Sequence, residues 1–302
     1  MRRRSSLWLF PAGLAALTAA WSADQASPAA TWAARSVSEY MSLPDVTYFT
    51  AGDVALKLDV YRRRRATGPQ PALIYIHGGG WIGGSKGGAV NLLFPWFEMG
   101  FTIFNVEYRL ARAAPAPAAV ADCLCALRWV ATRAQNYGVD TSRLVLSGES
   151  AGGHLALTTS LIPESAALDK QCPGVPLPKV AAVVNFYGIT DVADLLEGSN
   201  QKGYAVSWIG NGEDRQELAR RVSPLTYVRP GLPPILSIQG DADPTVPYSQ
   251  SVRLQEALEK ANVPHQLVTI AGGKHGMFTA DEYVRIYSEI RTFLTKYNLL
   301  PK

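Results

Sequence analysis

Three polar side chains and one run of glycines carry most of the chemistry that this sequence offers. Ser150 stands at the centre of Gly148-Glu149-Ser150-Ala151-Gly152. Small residues flanking a serine suit a sharp strand-to-helix turn, because strand and helix can approach closely while the strained apex holds the hydroxyl clear of its own backbone. Such a hydroxyl becomes a nucleophile only with a base to take its proton and an acid to orient that base. His275, in Gly272-Gly273-Lys274-His275-Gly276, lies on a glycine-flanked loop free to lean over a sheet. Asp243 is the expected acid, since Pro244 stiffens the turn after it, and Asp241 is the alternative. His154, one turn inside the helix after the serine, and His265, at the start of a strand, are poorly placed to serve as base.

Attack on a carbonyl also creates an oxyanion that needs donors. His77-Gly78-Gly79-Gly80-Trp81 follows an apolar strand at once. Without side chains in the way, the N–H groups of Gly78 and Gly79 can point at one oxygen beside that of Ala151, which opens a helix at the positive end of its dipole. His77 is read as orienting this loop through hydrogen bonds. There is no His-Glu-x-x-His, and Cys123, Cys125 and Cys172 fit no metal-ligand spacing, so neither a metal nor an organic cofactor is expected.

The elements that must position these groups can be read from periodicity. Residues 46–50 and 54–61 alternate apolar and polar side chains around Ala51-Gly52-Asp53 and predict an antiparallel hairpin. Nearly continuous apolar runs over 71–77, 100–106, 144–146, 180–187, 235–239 and 265–270 predict strands covered on both faces. Helical patterns fall between them at 115–134, 155–162, 249–261 and 282–297. Strands separated by helices in this way call for a mainly parallel sheet with helices on both faces. Residues 188–233 lack an obvious strand, carry a helical stretch over 213–222, and are read as a small lid above the strand ends. Trp208 within it is an anchor beneath the lid or a wall of the substrate pocket, with Trp81 beside the glycine loop as a second wall.

The 302 residues, 47% hydrophobic and 18% charged, allow one large domain over 43–302. Arg2, Arg3 and Arg4 before an apolar stretch predict a signal peptide over 1–22, followed by a flexible leader over 23–42. The expectation is an exported protein. Removing that peptide takes away three arginines and no acid, so the formal charge falls from +4 to +1. That balance argues against nucleic acid or an anionic membrane as partner. The basic run 62–65 is read as a solvated loop tip. An oxidising compartment favours a disulfide, and residues two apart on a helix point about 200° apart, so Cys123 and Cys125 do not pair with each other. Cys123 shares the apolar stripe of Val120, Leu127 and Val130, which leaves Cys125 to meet Cys172.

Taken together, His77-Gly78-Gly79-Gly80-Trp81, Glu107-Tyr108-Arg109-Leu110, Gly148 to Ala156, Asp243-Pro244-Thr245-Val246-Pro247 and Lys274-His275-Gly276 give the chain its likeness. It resembles α/β-hydrolase esterases of the hormone-sensitive-lipase type, above all their bacterial branch of acetyl-ester and feruloyl/acetylxylan esterases. The order serine, aspartate, histidine is the one that fold uses. The resemblance implies an α/β-hydrolase fold and a serine ester hydrolase for short-chain or aryl-acyl esters, of small-molecule or carbohydrate-linked kind. Ser150 would be nucleophile, His275 base, Asp243 its partner, and Gly78, Gly79 and Ala151 the oxyanion donors. The chain departs from the larger lipase-like members in lacking their long helical cap, which speaks against long-chain lipid substrates. Lipase, serine peptidase or amidase, and non-catalytic ligand binder are the alternative readings.

Overall fold

Among the described residues eight strands make one sheet, and the apolar runs account for most of them. The computed structural model describes residues 27–172 and 175–301, so the expected signal peptide over 1–22 lies outside the described residues. The strands are β1 (Tyr40–Ala51), β2 (Val54–Arg63), β3 (Gln70–Ile76), β4 (Thr102–Val106), β5 (Val139–Glu149), β6 (Ala182–Phe186), β7 (Ile235–Gly240) and β8 (His265–Ile270). They lie in the order β1-β2-β4-β3-β5-β6-β7-β8. The hairpin β1-β2 and the pair β2-β4 are antiparallel, and all pairs from β4 to β8 are parallel.

β3 shows why such runs read as buried strands. Alternate side chains leave opposite faces, so Ile74 and Ile76 enter one core while Leu73 and Tyr75 enter the other. β5 repeats the pattern, with Leu144 and Leu146 on the first face and Val145 on the second. The first core is closed by helices α3 (Ala118–Arg133) and α4 (Ala151–Leu161), the second by α8 (Ala280–Lys296). α8 begins at a capping box in which the Thr279 hydroxyl accepts the Glu282 N–H and the Glu282 carboxylate accepts the Thr279 N–H. α3 starts at Ala118, with Pro117 at its N-cap, rather than at 115.

The structure departs from the sequence reading at several elements. The expected flexible leader contains α1 (Pro28–Glu39), and β1 starts at Tyr40. The alanine-rich composition that suggested flexibility is also the best helix-forming composition, and the Ser27 hydroxyl caps α1 by accepting the Ala30 N–H. The chain falls into two compact units, residues 1–38 and 39–302, and α1 lies almost wholly in the first of them. Between β3 and β4 a 3₁₀ run, Lys86–Leu93, leads into α2 (Phe94–Glu98), where the sequence predicted no element. The segment 188–233 holds α5 (Gly203–Ile209) and α6 (Arg215–Arg221), the latter shorter than the helix expected over 213–222. α7 (Ser249–Lys260) agrees with expectation to one residue.

Cys125 and Cys172 form a disulfide, and Cys123 remains free and buried. The bridge closes 47 residues of chain, worth about 3–4 kcal/mol. Ion pairs of Arg128 with Asp169 and Glu164 tie the same loop to α3, and Arg109, after β4, pairs with Asp122 of that helix.

Candidate active site

Ser150 occupies the turn between β5 and α4 with φ 55° and ψ −120°, backbone angles that a residue with a side chain adopts only under constraint. The constraint is the close approach of β3. A Cβ on Gly148 would lie 2.3 Å from the Ile76 carbonyl oxygen, and one on Gly152 would lie 2.0 Å from it. The Ser150 N–H is tied down by donating to the Phe186 carbonyl at 2.9 Å.

His275 and Asp243 come to this serine from the loops after β8 and β7. His275 Nε2 lies 2.8 Å from Ser150 Oγ, and His275 Nδ1 lies 2.7 Å from Asp243 Oδ2. A neutral imidazole protonated at Nδ1 satisfies both contacts, donating to the carboxylate and accepting from the hydroxyl. Asp243 is itself fixed, because Oδ1 accepts the N–H groups of Thr245 and Val246, at 2.8 and 3.0 Å, and Oδ2 accepts Gln239 Nε2 at 3.2 Å. The alternative acid, Asp241, is exposed and accepts the Gly272 N–H instead. The three residues expected to work together are therefore in one hydrogen-bonded chain.

The expected oxyanion donors need a correction. The Gly78 N–H donates to Glu149 Oε1 at 2.8 Å, so it is not free to meet a substrate. Glu149 Oε2 accepts the Tyr75 hydroxyl at 2.6 Å, and burial holds this carboxyl above the usual carboxylate range against the pull of those bonds. The next two glycines, Gly79 and Gly80, line the cleft with Ser150. Among the described residues no acceptor is found for the N–H groups of Gly79, Gly80 and Ala151. Only glycine fits at Gly79, where φ is 111° and a Cβ would stand 2.2 Å from the Gly83 carbonyl oxygen. His77 orients the loop as expected: Nδ1 donates to the Gly78 carbonyl at 2.7 Å, and the ring stacks on Tyr108 at 4.3 Å.

Trp81 departs from expectation, and Trp208 takes the anchor reading of its two. Both are fully buried, and their rings stack at 4.1 Å beneath the site, so neither is a wall of the cleft. Trp81 Nε1 donates to His154 Nδ1 at 3.2 Å, and His154 Nε2 donates to the Val222 carbonyl at 2.7 Å. Burial drives the His154 pKa down to about 3, which keeps the ring neutral and structural. The cleft that opens on Ser150 measures about 500 Å³, and its walls are Ile82, Leu92, Tyr187, Tyr204 and Tyr283.

With this geometry in view, the likeness to known proteins has a structural basis. The family model BD-FAE matches residues 58–258. The chain belongs to the BD-FAE family. Its sheet and helices are those of α/β-hydrolase esterase structures. A thermophilic esterase of the Planctomycetes species Thermogutta terrifontis, solved with propionate bound, superposes with a TM-score of 0.71 at 29% identity, covering 85% of this chain and 96% of that one. Esterase LipQ of Mycobacterium tuberculosis is 31% identical over 232 residues, 72% of this chain and 52% of LipQ. Ethyl acetate hydrolase of Pseudomonas putida is 30% identical over 68% of this chain and 65% of its own length. The BD-FAE chain thus spans about half to two thirds of these curated relatives.

The sequence of this BD-FAE member contained a signal for one group that was missed. Glu149 sits inside the serine motif itself, and an acid there, next to a buried strand end, needs donors from the neighbouring strand and the loop after it. The three cleft tyrosines left no such trace, because they come from three separate loops and helices.

Proposed function

We propose that this BD-FAE member is a serine carboxylic-ester hydrolase that turns over short-chain or aryl-acyl esters, of small alcohols or of carbohydrates, through an acyl-enzyme. The reading is carried by the continuous chain Ser150 Oγ, His275, Asp243, with both links under 3 Å. His275 takes the Ser150 proton as Oγ attacks the ester carbonyl, and Asp243 holds the imidazole tautomer and stabilises the imidazolium. Gly79, Gly80 and Ala151 donate to the oxyanion. His275 then protonates the leaving alcohol, and water admitted to the same position is deprotonated by His275 and releases the acid. No metal enters these steps.

The short acyl preference is supported by the propionate in the Thermogutta terrifontis esterase and by the ethyl acetate hydrolase among the relatives. Residues 188–233 act as the lid in this reading, supported by Tyr204, which reaches the cleft from α5 and donates its hydroxyl to the Thr245 carbonyl at 3.0 Å. Export with loss of residues 1–22 is supported by the Cys125–Cys172 bridge, which persists in oxidising compartments.

Hydrolysis of p-nitrophenyl acetate, butyrate and decanoate and of a feruloyl ester, with Ser150→Ala as the blank, tests the proposal. The acetate or butyrate ester should show the highest kcat/KM among the alkanoates. Highest turnover of decanoate refutes the acyl preference, and equal rates for wild type and Ser150→Ala refute the serine mechanism.

A further inference from the structure

Tyr187, the residue that leaves the carboxyl end of β6, is held in a conformation that bulky residues avoid. Its φ is 40°, and the strain is fixed in place by its N–H, which donates to the Ile238 carbonyl at 2.7 Å. Backbone strain of this kind in a non-glycine residue persists only where the surrounding structure over-determines it, and such residues cluster at functional sites. Here that side chain is 6% exposed, lines the cleft and packs edge-on against the His275 ring with centroids 4.6 Å apart.

Its hydroxyl is uncommitted. Tyr204 donates to the Thr245 carbonyl and Tyr283 to the Gly276 carbonyl. Among the described residues the hydroxyl of Tyr187 has no protein partner. The ring is buried but the hydroxyl opens on the cleft, where a donor with no protein partner is free to meet a ligand. The loop carrying His275 also leaves room for it: a Cβ on Gly276 would stand 2.5 Å from the Tyr187 hydroxyl oxygen. Burial, followed by the charge of Glu149, pushes the phenol well above its usual range, so it stays protonated and able to donate.

The side on which Tyr187 lies indicates what it meets. Gly79, Gly80 and Ala151 address the carbonyl oxygen, whereas Tyr187 rests against the imidazole that protonates the leaving oxygen. We propose that Tyr187 is a specificity-determining residue whose hydroxyl hydrogen-bonds the alcohol half of the ester, so that the site favours esters whose alcohol bears a free hydroxyl next to the ester oxygen, as partial esters of polyols do. This rests on the ester hydrolase reading above.

The test compares ethyl acetate with 2-hydroxyethyl acetate, reading the ratio of their kcat/KM values within each enzyme so that the active fraction cancels. The wild type should prefer the hydroxylated ester by about tenfold, the worth of one partly exposed neutral hydrogen bond. Tyr187→Phe keeps the ring against His275 and should bring the ratio close to one. Tyr187→Leu, without the ring, should do the same. A wild-type ratio near one, or a ratio unchanged in both variants, overturns the assignment. If the wild type cleaves neither acetate nor p-nitrophenyl acetate, the ester hydrolase reading falls and the assignment with it. Cleavage of both acetates at equal efficiency leaves that reading standing and removes the role of Tyr187 alone.

Discussion

Glu149 accepts the backbone N–H of Gly78 at 2.8 Å, and this bond ties the turn that carries Ser150 to the glycine loop facing it. Its second oxygen takes the Tyr75 hydroxyl from the neighbouring strand. In the proposed mechanism this one side chain sets the distance between the Ser150 nucleophile and the oxyanion donors before any substrate arrives. That kind of preorganisation is a large part of how such sites work.

Glu149→Ala should therefore lower kcat by about 10- to 100-fold, with a smaller change in KM, because the donors are loosened toward the transition state more than toward the substrate. Equal changes in kcat and KM would argue against a positioning role.

The same carboxyl makes a prediction about pH. An unfolded glutamate releases its proton near pH 4.3, while burial makes the folded Glu149 keep its proton to a higher pH. Between those two values the native state binds more protons than the unfolded state, so stability declines as pH rises through the window, and the loss is complete above the folded value. Glu149→Gln lacks this titration. The Tm of the variant should therefore improve relative to wild type as pH is raised from about 4 to about 8, and a difference that stays constant across that range contradicts the assignment.

His154 gives the opposite dependence. Its folded pKa is about 3, against about 6.5 unfolded, so below about pH 6.5 the unfolded chain binds a proton that the native state refuses. Stability should fall by up to about 1.4 kcal/mol per pH unit as pH drops through this window. Urea unfolding of His154→Gln at stepped pH should give a lower overall stability and a shallower acid slope. Identical slopes would mean that the ring is not held neutral.

Asp243 and Asp241 should separate cleanly. Asp243→Asn should cost about 10⁴-fold in kcat/KM on p-nitrophenyl acetate, since the amide favours the wrong imidazole tautomer. Asp241→Asn only weakens a surface bond to the Gly272 N–H, and its rate should stay within about twofold. The reverse result would show that the wrong carboxylate has been placed behind His275.

The buried tryptophans should matter for stability rather than selectivity. Trp208→Ala should cost about 3–5 kcal/mol of folding free energy and leave the butyrate-to-decanoate ratio of kcat/KM unchanged. Leu92 is a wall of the cleft, and Leu92→Trp should shift that ratio toward butyrate by about tenfold. A shifted ratio in Trp208→Ala would return that side chain to the pocket.

Local sequence determined a good deal of this protein. The strands β3, β4, β6, β7 and the later half of β5 were legible because each is covered on both faces and so reads as a short apolar run, whereas β8, at the sheet edge, buries only Val268 and Ile270. Ser150, Asp243 and His275 were legible because each sits at a strand end among glycine or proline, where the backbone demands those residues. The pairing of Cys125 with Cys172 followed from the period of one helix. Tertiary structure alone decided which glycine N–H is spent on Glu149, since that depends on the path of a side chain from a strand 71 residues later. It also decided that Trp81 and Trp208 stack on each other instead of facing substrate, and that Tyr187, Tyr204 and Tyr283 converge on one cleft. Bulk and polarity are written in the residue, but the direction a side chain takes is settled by what packs against it, and for these residues the neighbours come from loops distant in the chain.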